Sequence, residues 1–268
     1  MKAVKLFLKR FKNSKIISKY DQIADVSINY ENNDMLHGWH SSTIDELLEA
    51  PGLTKAMCVS KMRQKPSEKE KIHLSWDVPN FVSEAVLNSN NLAQKVIDYI
   101  GPGARLDDIY IKNITDGLES ASEGWHDDNV GYRLKLFMVF DTEGIPSGTI
   151  LIPKARPNLY EVNVIDEISR IIGKPRKEPR GSQLIINYNA GDCLLFDTNL
   201  PHRGDYTTNV GTRYCVIAEF IDRNKADKLK GKAPCGPGQG RMKIYIPEHL
   251  KDNRLIDNNL YYNEQYGY

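Results

Sequence analysis

Trp125-His126-Asp127-Asp128-Asn129-Val130-Gly131-Tyr132-Arg133-Leu134-Lys135-Leu136-Phe137-Met138-Val139-Phe140 decides how the middle of this chain is read. On an extended chain successive side chains point to opposite faces, so His126 and Asp128 share a face and Asp127 points away. The run from Tyr132 to Phe140 is apolar or β-favouring at nearly every position, and Asp141-Thr142-Glu143-Gly144 reads as the turn that closes it. His126 and Asp128 therefore form an imidazole–carboxylate pair on one face, just ahead of a strand.

A second imidazole follows. Asn189-Ala190-Gly191-Asp192-Cys193-Leu194-Leu195-Phe196-Asp197 is a turn entering a strand, and Thr198-Asn199-Leu200-Pro201-His202 links it to another. Arg213 opens a third strand, Arg213-Tyr214-Cys215-Val216-Ile217-Ala218-Glu219-Phe220. Two His and one carboxylate bound facially, with open coordination positions, suit non-haem Fe(II) oxygen chemistry. With six His in the chain, one HxD match carries little weight by itself. Weight comes from order and setting: HxD before a strand, Gly-Asp before a strand, then a His, then an Arg at the head of a further strand.

At these positions the sequence resembles the Fe(II)/2-oxoglutarate-dependent dioxygenases, and within them the phytanoyl-CoA dioxygenase-like branch. The resemblance spans residues 105 to 221, under half of the chain. It rests on His126-Asp127-Asp128, Ser147-Gly148-Thr149-Ile150-Leu151-Ile152-Pro153, Ala190-Gly191-Asp192-Cys193-Leu194-Leu195-Phe196-Asp197, His202 and Arg213. It implies Fe(II) held by His126, Asp128 and His202. It also implies 2-oxoglutarate paired through its distal carboxylate with Arg213, a role that suits the planar fork of a guanidinium. In this family, positions such as Tyr110 and Lys112, which share a strand face, can reach 2-oxoglutarate, and Thr149 can bond the same carboxylate opposite Arg213. The implied reaction consumes O2, hydroxylates an unactivated C–H of a small-molecule or lipid/sugar-precursor substrate, and gives succinate and carbon dioxide. The carboxylate at Asp128 argues against halogenation, which needs that position vacated for halide. One departure is visible: the family's Gly-Thr strand usually runs into Pro-Gly-Ser-His, whereas here it reads Pro153-Lys154-Ala155-Arg156-Pro157. The substrate of a familiar relative therefore does not carry over.

Composition sets the bounds. A chain of 268 residues with 40% hydrophobic and 26% charged residues suits one large soluble domain, or one domain with a sizeable extension. A net charge of +1 argues against a nucleic-acid partner. Cys58, Cys193, Cys215 and Cys235 show neither CxxC pairs nor zinc spacing, and Cys193 and Cys215 lie in apolar strands as buried thiols. A reducing cytoplasmic setting is the expectation, and Fe(II) needs one too. No apolar run approaches the roughly 18 residues of a spanning helix.

Residues 1–104 read as a mainly helical region packed on the core, 105–222 as the double-stranded β-helix (jelly roll) core with an insertion at 154–182, and 223–268 as a C-terminal extension. In the first region, Val4, Phe7, Leu8 and Phe11 have helical spacing among basic residues, while Lys5, Lys9 and Arg10 interrupt what a secretory signal would keep apolar. A helix packed on its own domain is the favoured reading; weak peripheral membrane contact through residues 1–12 is the alternative. Ser42-Thr43-Ile44-Asp45-Glu46-Leu47-Leu48 carries a cap residue three before an acid and stops at Pro51-Gly52. Asn91 to Ile100 reads as a helix stopped by Gly101-Pro102-Gly103, and Asp108 to Ile114 as the first core strand. About eight short strands with turns between them suggest a jelly roll.

Other residues favour structural roles. His37 and His40 lack the helical setting of an HxxH metal site, His73 reads as a partly buried structural histidine, and Trp125 faces away from His126. The charged stretch from Lys174 to Arg180 reads as a solvated loop. Two alternatives to the oxygenase reading stand: a cupin-like jelly-roll metalloenzyme that does not use 2-oxoglutarate, which Arg213 disfavours, and a non-catalytic jelly-roll binding protein whose histidines are core residues.

Overall fold

The strand that begins at Arg213 shows how the core is built. The computed structural model describes residues 8, 35–56, 78–115, 124–126, 133–153, 179–205, 211–222 and 252–256. Within them the strands are β1 (Trp39–Thr43), β2 (Ala104–Thr115), β3 (Arg133–Gly144), β4 (Thr149–Leu151), β5 (Leu184–Ile186), β6 (Asp192–Asp197), β7 (His202–Gly204) and β8 (Gly211–Asp222). Along β8, Tyr214, Val216, Ala218 and Phe220 enter one hydrophobic cluster, while Cys215 and Ile217 enter another. Both faces of β8 are therefore buried. That explains why its sequence is a near-continuous apolar run rather than an alternating one.

β8 is held between β3 and β2 in a five-stranded antiparallel sheet of order β1-β6-β3-β8-β2, and a three-stranded sheet of order β5-β4-β7 faces it. The chain passes from one sheet to the other and back as it runs from β2 to β8, a jelly-roll arrangement. The cluster between the sheets joins Tyr110, Val139, Leu194, Phe196, Cys215 and Ile217 of the larger sheet to Leu151 and Tyr188 of the smaller side. The outer face of the larger sheet is covered by helices, labelled here α1 (Ile44–Leu47), α2 (Leu53–Ala56), α3 (Asn80–Asn88) and α4 (Asn90–Ile100).

The helix signals read from sequence have physical counterparts. Thr43 and Glu46 form a reciprocal capping box at α1, each side chain accepting from the other's backbone N–H at 3.3 Å. Ser89 Oγ caps α4 by accepting from Leu92 N at 3.0 Å, and also donates to Leu47 O at 2.9 Å, so one hydroxyl fixes two helices. Such a cap contributes about 1 kcal/mol. Gly101, at φ 108, ends α4 in a conformation that side chains other than glycine disfavour.

Two features differ from the sequence reading. Asp141–Gly144 is not a turn: β3 continues through it, paired to Tyr214–Gly211 of β8 after a bulge between Val139 and Asp141. The bulge resets the register, so a polar stretch still pairs with its neighbour. Residues 39–43 form an edge strand on β6, ahead of the first expected strand. Cys193 and Cys215 are buried thiols, as read, and burial pushes both up to about 11. Among the described residues no helix is long and apolar enough to cross a membrane. The basic amphipathic stretch at 1–12 (apart from Leu8), His73, residues 154–178 of the insertion and most of the C-terminal extension lie outside the described residues.

Gly148, just before β4, packs where a Cβ would lie 2.5 Å from Ile186 O and 3.0 Å from Asn187 Oδ1. Gly148→Ala must therefore push β4 from β5 and lower stability by about 1–3 kcal/mol, as overpacking does. Thermal unfolding should show a lowered midpoint, and an unchanged midpoint would contradict this packing.

Candidate metal and anion site

His202 opens β7, and His126 lies across from it as a single antiparallel bridge. The N–H of each donates to the carbonyl of the other, at 3.0 Å from His126 and 2.9 Å from His202. The two rings stand 4.2 Å apart between centroids at 55°. Each ring is held in the same way. His126 Nδ1 lies 2.8 Å from Gly124 O, and His202 Nδ1 lies 2.7 Å from Leu200 O, in both cases the carbonyl two residues earlier. A carbonyl only accepts, so Nδ1 carries a proton, and in the neutral ring this leaves the lone pair on Nε2. Metal-binding histidines are characteristically oriented by such bonds. Phe196 packs its edge on His202 at 5.2 Å, and Phe137 packs on Phe196 at 5.4 Å, which gives the buried ring an apolar wall.

Asp128 lies outside the described residues, and among those that are described no group of three His, Cys, Asp or Glu side chains forms a metal cage. The described part of the site is the imidazole pair. Trp125, beside His126, takes the guanidinium of Arg203 over its ring at 5.3 Å, the packing role read from sequence.

The second half of the site is a buried cation. Arg213 is 3% exposed, on the inner face of β8, with Ile114 and Thr142 as its cross-strand partners. Its Nε and Nη1 are buried and have no hydrogen-bond partner. Its guanidinium lies over the ring of Tyr188 at 4.9 Å, and Tyr188 Oη donates to Thr149 Oγ1 at 2.9 Å. Burial pushes the Tyr188 phenol up to about 12 against the opposing pull of Arg213 and Thr149, so it stays a neutral donor. Lys112 shares this face, opposite Cys215, and both Lys112 and Arg213 favour the thiolate form of Cys215 that burial disfavours. Leaving donors of a buried cation unsatisfied is costly, and a carboxylate is the group that completes them.

The registers relate the two halves. Leu151 of β4 pairs with His202, and Thr149 pairs with Gly204, so two residues separate the imidazole level from the Thr149 level. At ~3.4 Å per residue this is about 7 Å, within reach of a short dicarboxylate. Toward the other end of β8, Asp108, Glu219 and Lys135 are cross-strand partners on β2, β8 and β3. Glu219, 2% exposed, pairs with Arg133 and with Lys135 Nζ at 3.7 Å, and accepts from Tyr110 Oη at 2.9 Å. The structure thus brings together His126 with His202, links Thr149 to Arg213 through Tyr188, puts Lys112 two residues along the sheet from the Arg213 level, and turns the Tyr110 hydroxyl toward Glu219.

Sequence reasoning passed over Tyr188 and Glu219. Leu184-Ile185-Ile186-Asn187-Tyr188 was a signal for the former, an apolar run long enough for a strand just after the insertion at 154–182. Glu219 was an acid in an otherwise apolar strand, at even spacing from Arg213 and so on the same face.

No family model matches this sequence, and no curated protein matches it. Among solved structures, the chain is similar to HygX from Streptomyces hygroscopicus with iron bound, with a TM-score of 0.47 at 13% identity, covering 70% of this chain and 83% of that one. It is similar to the epimerase SnoN in complex with Fe3+, alpha ketoglutarate and nogalamycin RO, with a TM-score of 0.45 at 11% identity over 70% and 80% of the two chains. The non-heme alpha ketoglutarate dependent carbocyclase SnoK from nogalamycin biosynthesis gives 0.45 at 11% over 74% and 84%. Similarities this low carry no argument about this chain's chemistry.

Replacing a buried, incompletely bonded cation by an apolar group is neutral or stabilising. Arg213→Met should therefore melt no lower than the parent when both are free of ligand. Added 2-oxoglutarate should raise the midpoint of the parent and not of the variant. Equal shifts in both would remove Arg213 from the anion-binding role.

Proposed function

We propose that this chain is a non-haem Fe(II)- and 2-oxoglutarate-dependent dioxygenase that hydroxylates an unactivated C–H of a small molecule, in the phytanoyl-CoA dioxygenase-like branch. The observation that carries this reading is the coexistence, inside one jelly roll, of two adjacent imidazoles each held by Nδ1 against a carbonyl and a buried guanidinium with unsatisfied donors. The donor set fits iron: His126, His202 and Asp128 would supply two imidazoles and one carboxylate. Bound iron, with 2-oxoglutarate and O2, supplies the oxidising chemistry, and succinate and carbon dioxide are the co-products.

The chain's own residues bind, orient and exclude water. Arg213 forks onto the distal carboxylate of 2-oxoglutarate, Thr149 and Lys112 add polar partners, and Tyr188 supports the guanidinium from below. Phe137, Phe196 and Leu151 keep the region beside His202 apolar, which strengthens each charge–charge contact there. The co-substrate then lies on the Arg213 side of the imidazoles, and the substrate reaches them from the side of Asp108, Glu219, Arg133 and Lys135. A wall of that composition suits a polar small molecule, such as a sugar-type precursor, better than a bare acyl chain. A location in the reducing cytoplasm and only marginal membrane contact accord with this reading.

Purified protein given Fe(II), 2-oxoglutarate and O2 should form succinate slowly even without substrate. Asp128→Gly should abolish that turnover by removing the carboxylate ligand. No succinate from the parent would favour a jelly-roll metalloenzyme that does not use 2-oxoglutarate or a non-catalytic binding protein, and full turnover in Asp128→Gly would sink the ligand set.

A further inference from the structure

Asp197 is the last residue of β6, is 0% exposed, and stands five positions before His202. A buried carboxylate is expensive unless strongly hydrogen-bonded. This one accepts from Tyr99 Oη at 2.7 Å, Asn199 N at 2.8 Å and Asn199 Nδ2 at 2.7 Å. The bonds from Asn199 hold a tight turn in which Leu200 N also donates to Asp197 O at 3.0 Å. The product of that turn is the position of Leu200 O, the group that lies 2.7 Å from His202 Nδ1.

The turn is clamped from several sides. Thr198 N donates to Arg133 O at 3.0 Å, and Ile152 N donates to Pro201 O at 3.0 Å. Asp197 N donates to Gly38 O at 2.8 Å, and a Cβ on Gly38 would come within 3.1 Å of Leu200 Cδ1, so the Leu200 side chain seats directly on that glycine. Tyr99 belongs to α4 and Gly38 precedes β1, so two of these clamps come from the region ahead of the core strands.

We infer that Asp197 and Tyr99 are a positioning pair for His202: through the 197–200 turn they aim Leu200 O at Nδ1 and so fix the tautomer that presents Nε2. As a role in metal binding this rests on the ligand reading of His202; as a constraint on the ring it stands on the contacts alone. Residues ahead of 105 are then part of the site rather than a separable support. Orienting partners of ligating histidines typically contribute 10–100-fold in metal affinity.

The test uses the full-length, metal-free protein labelled with 15N at histidine, and long-range 1H–15N correlation at a pH where the rings are neutral. The parent should show His202 protonated at Nδ1. Tyr99→Phe, which keeps the ring shape, and Asp197→Asn should each populate the other tautomer at His202 while leaving His126, held by Gly124 O, as an internal control. Both should also weaken Co(II) binding, followed by its visible absorption, by on the order of tenfold. An unchanged His202 tautomer and Co(II) affinity within about twofold of the parent, with only a lowered melting midpoint, would make the network merely structural and overturn the inference. If Asp197→Asn does not fold, Tyr99→Phe decides. If the parent binds no Co(II) yet the tautomer responds, the metal reading fails and the positioning pair stands.

Discussion

The reciprocal backbone hydrogen bonds between His126 and His202 are the contact on which the rest of the site depends. They join two segments far apart in sequence, one just ahead of β3 and one at the head of β7. Because the two N–H and C=O groups are exchanged directly, the side chains are forced onto the same face of the bridge, and the rings meet at 4.2 Å. Neither ring is left to choose its orientation, since each Nδ1 is taken by a carbonyl two residues earlier. The two imidazoles are thus arranged alike, by the same local device.

Among the described residues the buried charged side chains include Asp197, Glu219 and Arg213, whose circumstances differ. Asp197 is fully bonded by Tyr99 and Asn199, and Glu219 is bonded by Tyr110 and paired with Arg133 and Lys135. Arg213 is equally buried but keeps two donors without a hydrogen-bond partner, and has only an aromatic face beneath it. The cation–π contact contributes on the order of 1–2 kcal/mol, too little to offset desolvation of a guanidinium. Two unsatisfied donors on one buried guanidinium call for an explanation, and the proposed anion supplies one.

Parity made much of this legible in the sequence. The even spacing of Arg213, Cys215, Ile217 and Glu219 places them on one face, and the strand order that buries both faces of β8 accounts for the apolar residues between them. The helix signals at Thr43 and Gly101 were local chemistry, readable without knowing the fold. What stayed hidden depended on partners. Asp141 to Gly144 is polar enough to read as a turn, yet β8 is long enough to pair with it beyond a bulge. Trp39 to Thr43 is extended because β6 offers it an edge, which no local signal announces. Tyr188 acquires its role from Arg213 and Thr149, both distant in sequence.

The most direct test of the account is an anaerobic titration of the purified protein with Fe(II) and then 2-oxoglutarate, following the weak visible charge-transfer band expected near roughly 500 nm, which reports ligation of the metal. The expected result is a band that appears only when both are present and disappears in Asp128→Ala and His202→Ala. No band, with iron absent or bound out of stoichiometry, would contradict it.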